Sequence, residues 1–290
     1  MTMTDQGEAV LAHAVAAYEK ALGPRLVACY ALGSLAHGGF SPLVSDVDLG
    51  LILKDPLRAR DRLTIRRVAG AVRAGGPALH ERLSVFWGAP STLAGQARGG
   101  RFPPLDRLDL LEYGRLLTGR DVRDLVARPG PAELLVAGAK FALGNLGGPR
   151  NLKDRARSWA RGRLGHDDAL DEIRAPALLV SRGPRRLTKI VLLPVRFLFT
   201  AETGQVGTNS LAAEHYLARR ADAPAAELVT AALEWRQRPP ADLGAAAVLV
   251  GRELIPLYLY YIDDHIARLT AAGHDAVAGR FRRWRARLVA

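Results

Sequence analysis

The chain has 290 residues, 49% of them apolar, and a formal net charge of +12. That size suits one large domain or two modest ones, and the apolar share supports a real core, which excludes disorder as the main state. A single cysteine, Cys29, excludes an internal disulfide framework and a cysteine-based zinc site.

The elements follow in chain order. Residues 5–22 read as a helix, with Asp5 and Glu8 spaced for a capping box and Val10, Leu11, Val15, Tyr18 and Leu22 at helical intervals. Gly23-Pro24 ends it. "RLVACYAL" reads as a strand running into Gly33-Ser34, and residues 46–53 read as a second strand. A helix is expected from Pro56 to Ala74, with Leu57, Leu63, Val68 and Val72 on one side. "ERLSVFW", residues 81–87, suits a third strand, and a Gly-, Arg- and Pro-rich loop covers 94–104. "LDRLDLLEYGRLL" reads as a helix, and "TGRDV" as a short strand or turn.

A boundary is expected in "ARPGPAE", giving domains 1–127 and 128–290. Beyond it the period is helical almost throughout, in "AELLVAGAKFALGNL", "RLTKIVLLPVRFLFTAETG", "SLAAEHYLARRA", "AAELVTAALEWRQ" and "AAVLVGRELIPLYLYYIDDHIARLTAA". Pro194 and Pro256 should kink or break their helices. The fold class is therefore α+β: a small mixed β-sheet domain with flanking helices, then an all-helical second domain.

Net positive charge favours anionic partners such as nucleotides, RNA or phosphorylated metabolites, although the preference for Arg over Lys also fits a GC-rich coding sequence. The N-terminus lacks a basic region followed by an apolar core, and charged residues interrupt the apolar runs before they reach the roughly 18 residues of a spanning helix. The expectation is a soluble cytoplasmic protein with no membrane partner.

Two carboxylates stand out. Asp46 and Asp48 share one face of the second strand. Like charges side by side repel unless something neutralises them, and a divalent cation does so. Mg²⁺ takes one or two carboxylates together with waters and substrate phosphates. Gly33-Ser34 supplies the complement, since glycine lets backbone approach a phosphate and the N–H groups and hydroxyl can hold its oxygens. Two solvated aspartates on an edge strand would account for Asp-x-Asp alone. The whole constellation is more specific: strand, Gly-Ser, an eleven-residue loop ending in Ser45, then Asp-Val-Asp-Leu opening an apolar strand.

"GSLAHGGFSPLVSDVDLGLIL" resembles the signature of the DNA polymerase beta-like nucleotidyltransferase superfamily. Within it the chain is most like the aminoglycoside nucleotidyltransferases of the streptomycin/spectinomycin type. Weaker likeness appears in "LEYGRLLTGRDV" and in "LTKIVLLPVRFLFTAETGQV". The resemblance implies Mg²⁺ on Asp46 and Asp48, phosphates at Gly33 and Ser34, and transfer of a nucleoside monophosphate, AMP by expectation, from an NTP such as ATP to a hydroxyl. Lys189 and Arg196, on the helix with the second-domain likeness, are candidates to neutralise the triphosphate; each also reads as an ordinary charged residue of a helix.

The pattern includes a third carboxylate on a neighbouring strand, and there the chain has Ser84. Removing a positioned base typically costs about 10²–10⁴-fold. Glu81 can serve after a register shift, although its odd spacing from Ser84 turns it away in a regular strand. Glu112, Asp263 and Asp264 are alternative donors. The remaining reading is a module that binds nucleotide or RNA with little chemistry.

Two basic stretches, 150–163 and "RFRRWRARL", interleave arginines with aromatics. Such a run can grip RNA, but a solvated helix face with its rings packed inward explains it more simply. His37 lies in the loop between Ser34 and Asp46. His265, after Asp263-Asp264, reads as part of a salt-bridged surface cluster. The acceptor is left open between an antibiotic-like small molecule and a macromolecule, the basic charge weighing against a polycation.

Overall fold

The structure, a computed structural model, describes residues 3–146, 169–219 and 223–290. The basic stretch at 150–163 lies outside the described residues. The chain divides into two compact units, Met1–Gly130 and Pro131–Ala290. The α+β architecture is as the sequence implies.

The first unit is built on a four-stranded mixed sheet in the order β3-β2-β1-β4. Its strands are β1 (Leu26–Leu32), β2 (Val47–Leu53), β3 (Leu83–Gly88) and β4 (Arg115–Gly119). β1 lies antiparallel to both β2 and β4, while β2 and β3 run parallel. Because side chains alternate across a strand, each face gathers its own core. Cys29, Ala31, Val47, Leu49 and Leu51 pack with Val10, Leu11, Tyr18, Ile65 and Val68 on one face. Those partners come from α1 (Met3–Leu22) and α3 (Ala59–Ala74). Ala28, Tyr30, Leu32 and Ile52 pack with Leu93, Leu110 and Val122 on the other. Those come from α4 (Pro90–Leu93), α5 (Pro104–Tyr113) and the segment after β4. A short α2 (Ser34–His37) follows β1.

Local expectations needed four changes. Asp5 lies within the first turn of α1 rather than at its cap, because the helix already begins at Met3. Leu63 is 65% exposed, since α3 turns Ile65, Val68, Ala69 and Val72 inward with Asp61. Asp61 accepts from Arg25 Nη2 at 2.5 Å and from the Arg58 N–H at 2.8 Å, so a buried ion pair also caps the helix. The helix expected through Leu117 stops at Tyr113, and the residues after Gly114 become β4, a pairing partner for β1. Finally, Glu81 sits in a 3₁₀ turn, Ala78–Arg82, ahead of β3 rather than on the strand.

β3 is an edge strand. Arg73 donates to the Leu83 carbonyl through Nε at 3.0 Å and Nη2 at 2.6 Å. Arg101 Nη1 donates to the Val85 carbonyl at 2.8 Å, and its backbone exchanges two hydrogen bonds with Trp87.

The described part of the second unit is helical: α6 (Pro131–Asn145), α7 (Ala169–Arg174), α8 (Pro176–Ser181), α9 (Pro184–Thr203), α10 (Asn209–Arg219), α11 (Ala226–Trp235), α12 (Leu243–Ala271) and α13 (Asp275–Val289). α9 continues past Pro194 and α12 past Pro256, so neither proline breaks its helix. Among the described residues α12 has the length and apolar character of a membrane span. Its Val250, Leu254, Tyr258, Tyr261, Ile262 and Leu269 are buried among the helices of this unit. Phe281 and Trp284 of the basic tail are fully buried, which is the inward-packed arrangement. His265 keeps the expected pairing with Asp264, at 3.3 Å, but is buried rather than part of a surface cluster.

Candidate functional site

The site grows from the junction of β1 and β2. β1 ends at Leu32, and Leu32 faces Asp48 across the antiparallel pair. Gly33 follows with φ 59° and ψ −147°, a region that side chains strongly disfavour. A Cβ on Gly33 would lie 2.4 Å from Asp48 Oδ2. The missing side chain is therefore what admits the Asp48 carboxylate to the turn. Ser34 opens α2, whose Ala36 and His37 N–H groups donate to the Gly33 carbonyl at 2.9 and 3.0 Å. The His37 ring stands edge-on to Tyr113, with centroids 5.4 Å apart.

The loop back to β2 is fixed by two buried serines. The Ser41 N–H donates to Ser45 Oγ at 3.0 Å, and the Ser45 N–H donates to the Ser41 carbonyl at 2.8 Å. Arg82 Nη1 reaches the Pro42 carbonyl at 2.6 Å. This knot delivers Asp46 one residue ahead of β2, which starts at Val47. Asp46 and Asp48 are both half-buried.

Ser84 stands beside Asp48 in the parallel β2–β3 register. The position that resemblance assigns to a third carboxylate thus holds a hydroxyl. Glu81 is exposed. The other candidate acids each meet a guanidinium: Glu112 meets Arg128 at 3.0 Å, Asp263 meets Arg285 at 2.6 Å, and Asp264 meets Arg268 at 2.8 Å.

Sequence reasoning missed Asp109. It lies on α5 and is 8% exposed, and its Oδ2 accepts the Gly33 N–H at 2.6 Å. The available signal was an Asp set between Leu108 and Leu110, both fully buried.

Lys189 and Arg196 belong to α9 in the second unit, Lys189 exposed and Arg196 half-buried. Arg196 Nε donates to the Gly207 carbonyl at 2.9 Å. Burial pushes the Arg236 guanidinium down to about 10, and the like charge of Arg196 adds to that shift.

Among the described residues no group of three or more His, Cys, Asp or Glu side chains is arranged to hold a metal ion. A closed protein cage is therefore absent from that set. Asp46 and Asp48, two half-buried carboxylates two residues apart, are donors of the kind Mg²⁺ takes when waters and substrate oxygens complete its shell.

No family model matches the chain, and no curated protein matches it. Seven solved chains do. One is the crystal structure of spectinomycin adenyltransferase AAD(9) from Enterococcus faecialis with ATP and spectinomycin. It is 12% identical to this chain at a TM-score of 0.52, over 85% of this chain and 98% of its own. At that identity the likeness is one of fold: this chain has an aminoglycoside-nucleotidyltransferase-like fold.

Proposed function

We propose that the protein is an Mg²⁺-dependent nucleotidyltransferase that moves a nucleoside monophosphate, AMP in the first instance, from an NTP to a hydroxyl acceptor. One observation carries the reading: Gly33 adopts a glycine-only conformation whose empty Cβ position is taken by the Asp48 carboxylate. A phosphate-approach turn and a cation-binding acid are built as one piece. The neighbour that binds ATP on the same fold adds support.

In this reading Asp46 and Asp48 hold the cation, and Gly33 and Ser34 face the phosphates. A divalent cation there would spread charge over the phosphate oxygens. The acceptor oxygen bonds to the α-phosphorus as the bond to pyrophosphate breaks, so positioning and electrostatics carry the rate. The acceptor proton needs a base. Ser84 is not one near neutral pH, and Glu81, the closest acid to it in sequence, is assigned that role. Lys189 and Arg196 are assigned to phosphate neutralisation on the resemblance alone.

The test is release of pyrophosphate from labelled ATP with Mg²⁺ and a panel of hydroxyl acceptors. Asp46→Asn with Asp48→Asn should lower release by at least about 10²-fold while the melting temperature holds. Release that persists in the double variant sinks the assignment. Ser84 favours a second reading, a nucleotide-sensing or RNA-binding module on the same fold. ATP binding with no release from any acceptor would select it.

A further inference from the structure

Gly33 is held from two sides. Asp48 fills the space where its side chain would be, and Asp109 takes its N–H. A buried carboxylate persists only where hydrogen bonds replace water, and a bond from N–H to an ionised oxygen is short and strong. The 2.6 Å separation to Gly33 fits that description. Glycine at positive φ has wide conformational freedom and needs an anchor to stay in one well. α5 supplies a rigid one, since Leu108 and Leu110 on either side of Asp109 are fully buried in the first unit.

We infer that Asp109 is the positioning residue of the Gly33–Ser34 turn: by accepting the Gly33 N–H it fixes the glycine's conformation, and with it the places of Asp48 and Ser34. Asp109 acts through the turn and touches no substrate. The carboxylate that meets the turn thereby comes from α5, whereas the β3 residue in register with Asp48 is Ser84. What the turn then binds rests on the proposed function; the anchoring itself does not.

The experiment uses the full chain with glycine ¹⁵N labelling and follows amide exchange at Gly33, with ATP–Mn²⁺ binding measured alongside. In the wild type the Gly33 amide should exchange far more slowly than that of exposed Gly38. Asp109→Ala should remove that protection and weaken ATP–Mn²⁺ binding by about tenfold or more, in the range seen when outer supporting groups are lost. Asp109→Asn, which keeps an acceptor oxygen, should recover part of both. Unchanged Gly33 protection in Asp109→Ala overturns the inference. If that variant does not fold, fast Gly33 exchange in the wild type overturns it equally. The Asp46→Asn/Asp48→Asn variant separates the two ideas. ATP–Mn²⁺ binding that survives there defeats the nucleotide reading, while Gly33 exchange still answers for Asp109.

Discussion

The helical unit and the Gly33 turn treat carboxylates differently. In the helical unit, Glu172 is clasped by Arg186 at 2.5 Å and Arg182 at 3.5 Å. Glu202 there meets His215 at 2.8 Å and Arg268 at 3.4 Å. Charge is matched with charge, and the pairs tie helices together. At the turn of the first unit, a buried carboxylate instead grips a backbone N–H, and a second rests against the same glycine. An ion pair between long side chains tolerates shifts of its stems, whereas a bond to main chain at a glycine dictates one conformation. The number of acids in a region therefore says little about a site; what they hold says more.

That contrast can be broken first in the helical unit. Trp284 is fully buried and stands edge-on to Tyr258, Tyr261 and Phe281 at centroid separations of 5.8, 6.2 and 5.5 Å. Trp284→Ala should cost about 3–5 kcal/mol in denaturant unfolding, the largest stability loss expected here. Gly33→Ala probes the turn. Its methyl group would strike Asp48 Oδ2 in a backbone region that penalises side chains, so about 1–3 kcal/mol should be lost. ATP–Mn²⁺ binding should fall with it, whereas Trp284→Ala should leave binding intact at temperatures where the protein is folded.

The smallest effect concerns pH. Burial holds the His265 imidazole below its ordinary value, with the Asp264 carboxylate opposing that shift in part. Unfolded histidine titrates near 6.5. Below that pH the unfolded chain takes up a proton that the folded one refuses, so stability should fall as pH drops from about 6.5 toward the lowered folded value. It should be flat in this respect above about pH 7. Melting temperatures from pH 5 to 8 should slope less in His265→Gln; an equal slope would assign the effect elsewhere.

The strand–turn–strand core was legible because its signals are local. Alternating apolar residues marked β1 and β2, and Gly-Ser followed by Asp-x-Asp marked the turn. What was hidden depends on distant partners. Leu116 and Leu117 read as the end of a helix, yet β1 draws that segment into the sheet by pairing. Leu63 fits an apolar stripe, but the sheet meets the neighbouring stripe of Ile65, Val68 and Val72. Asp109 was not singled out at all, and only the fold brings it to Gly33. His265 looked exposed beside two aspartates, though it stacks on Phe281 in the core, with ring centroids 5.7 Å apart.

The arginines along β3 have a consequence for assembly. A strand at the margin of a sheet ordinarily invites an incoming chain to zip onto its open carbonyls. Here Leu83 and Val85 already receive guanidinium donors, and Trp87 is bridged to Arg101 through main chain. Strand donation by a peptide, or ribbon-like growth from copy to copy, is closed off along that border, which leaves β4 as the margin through which the sheet could be extended.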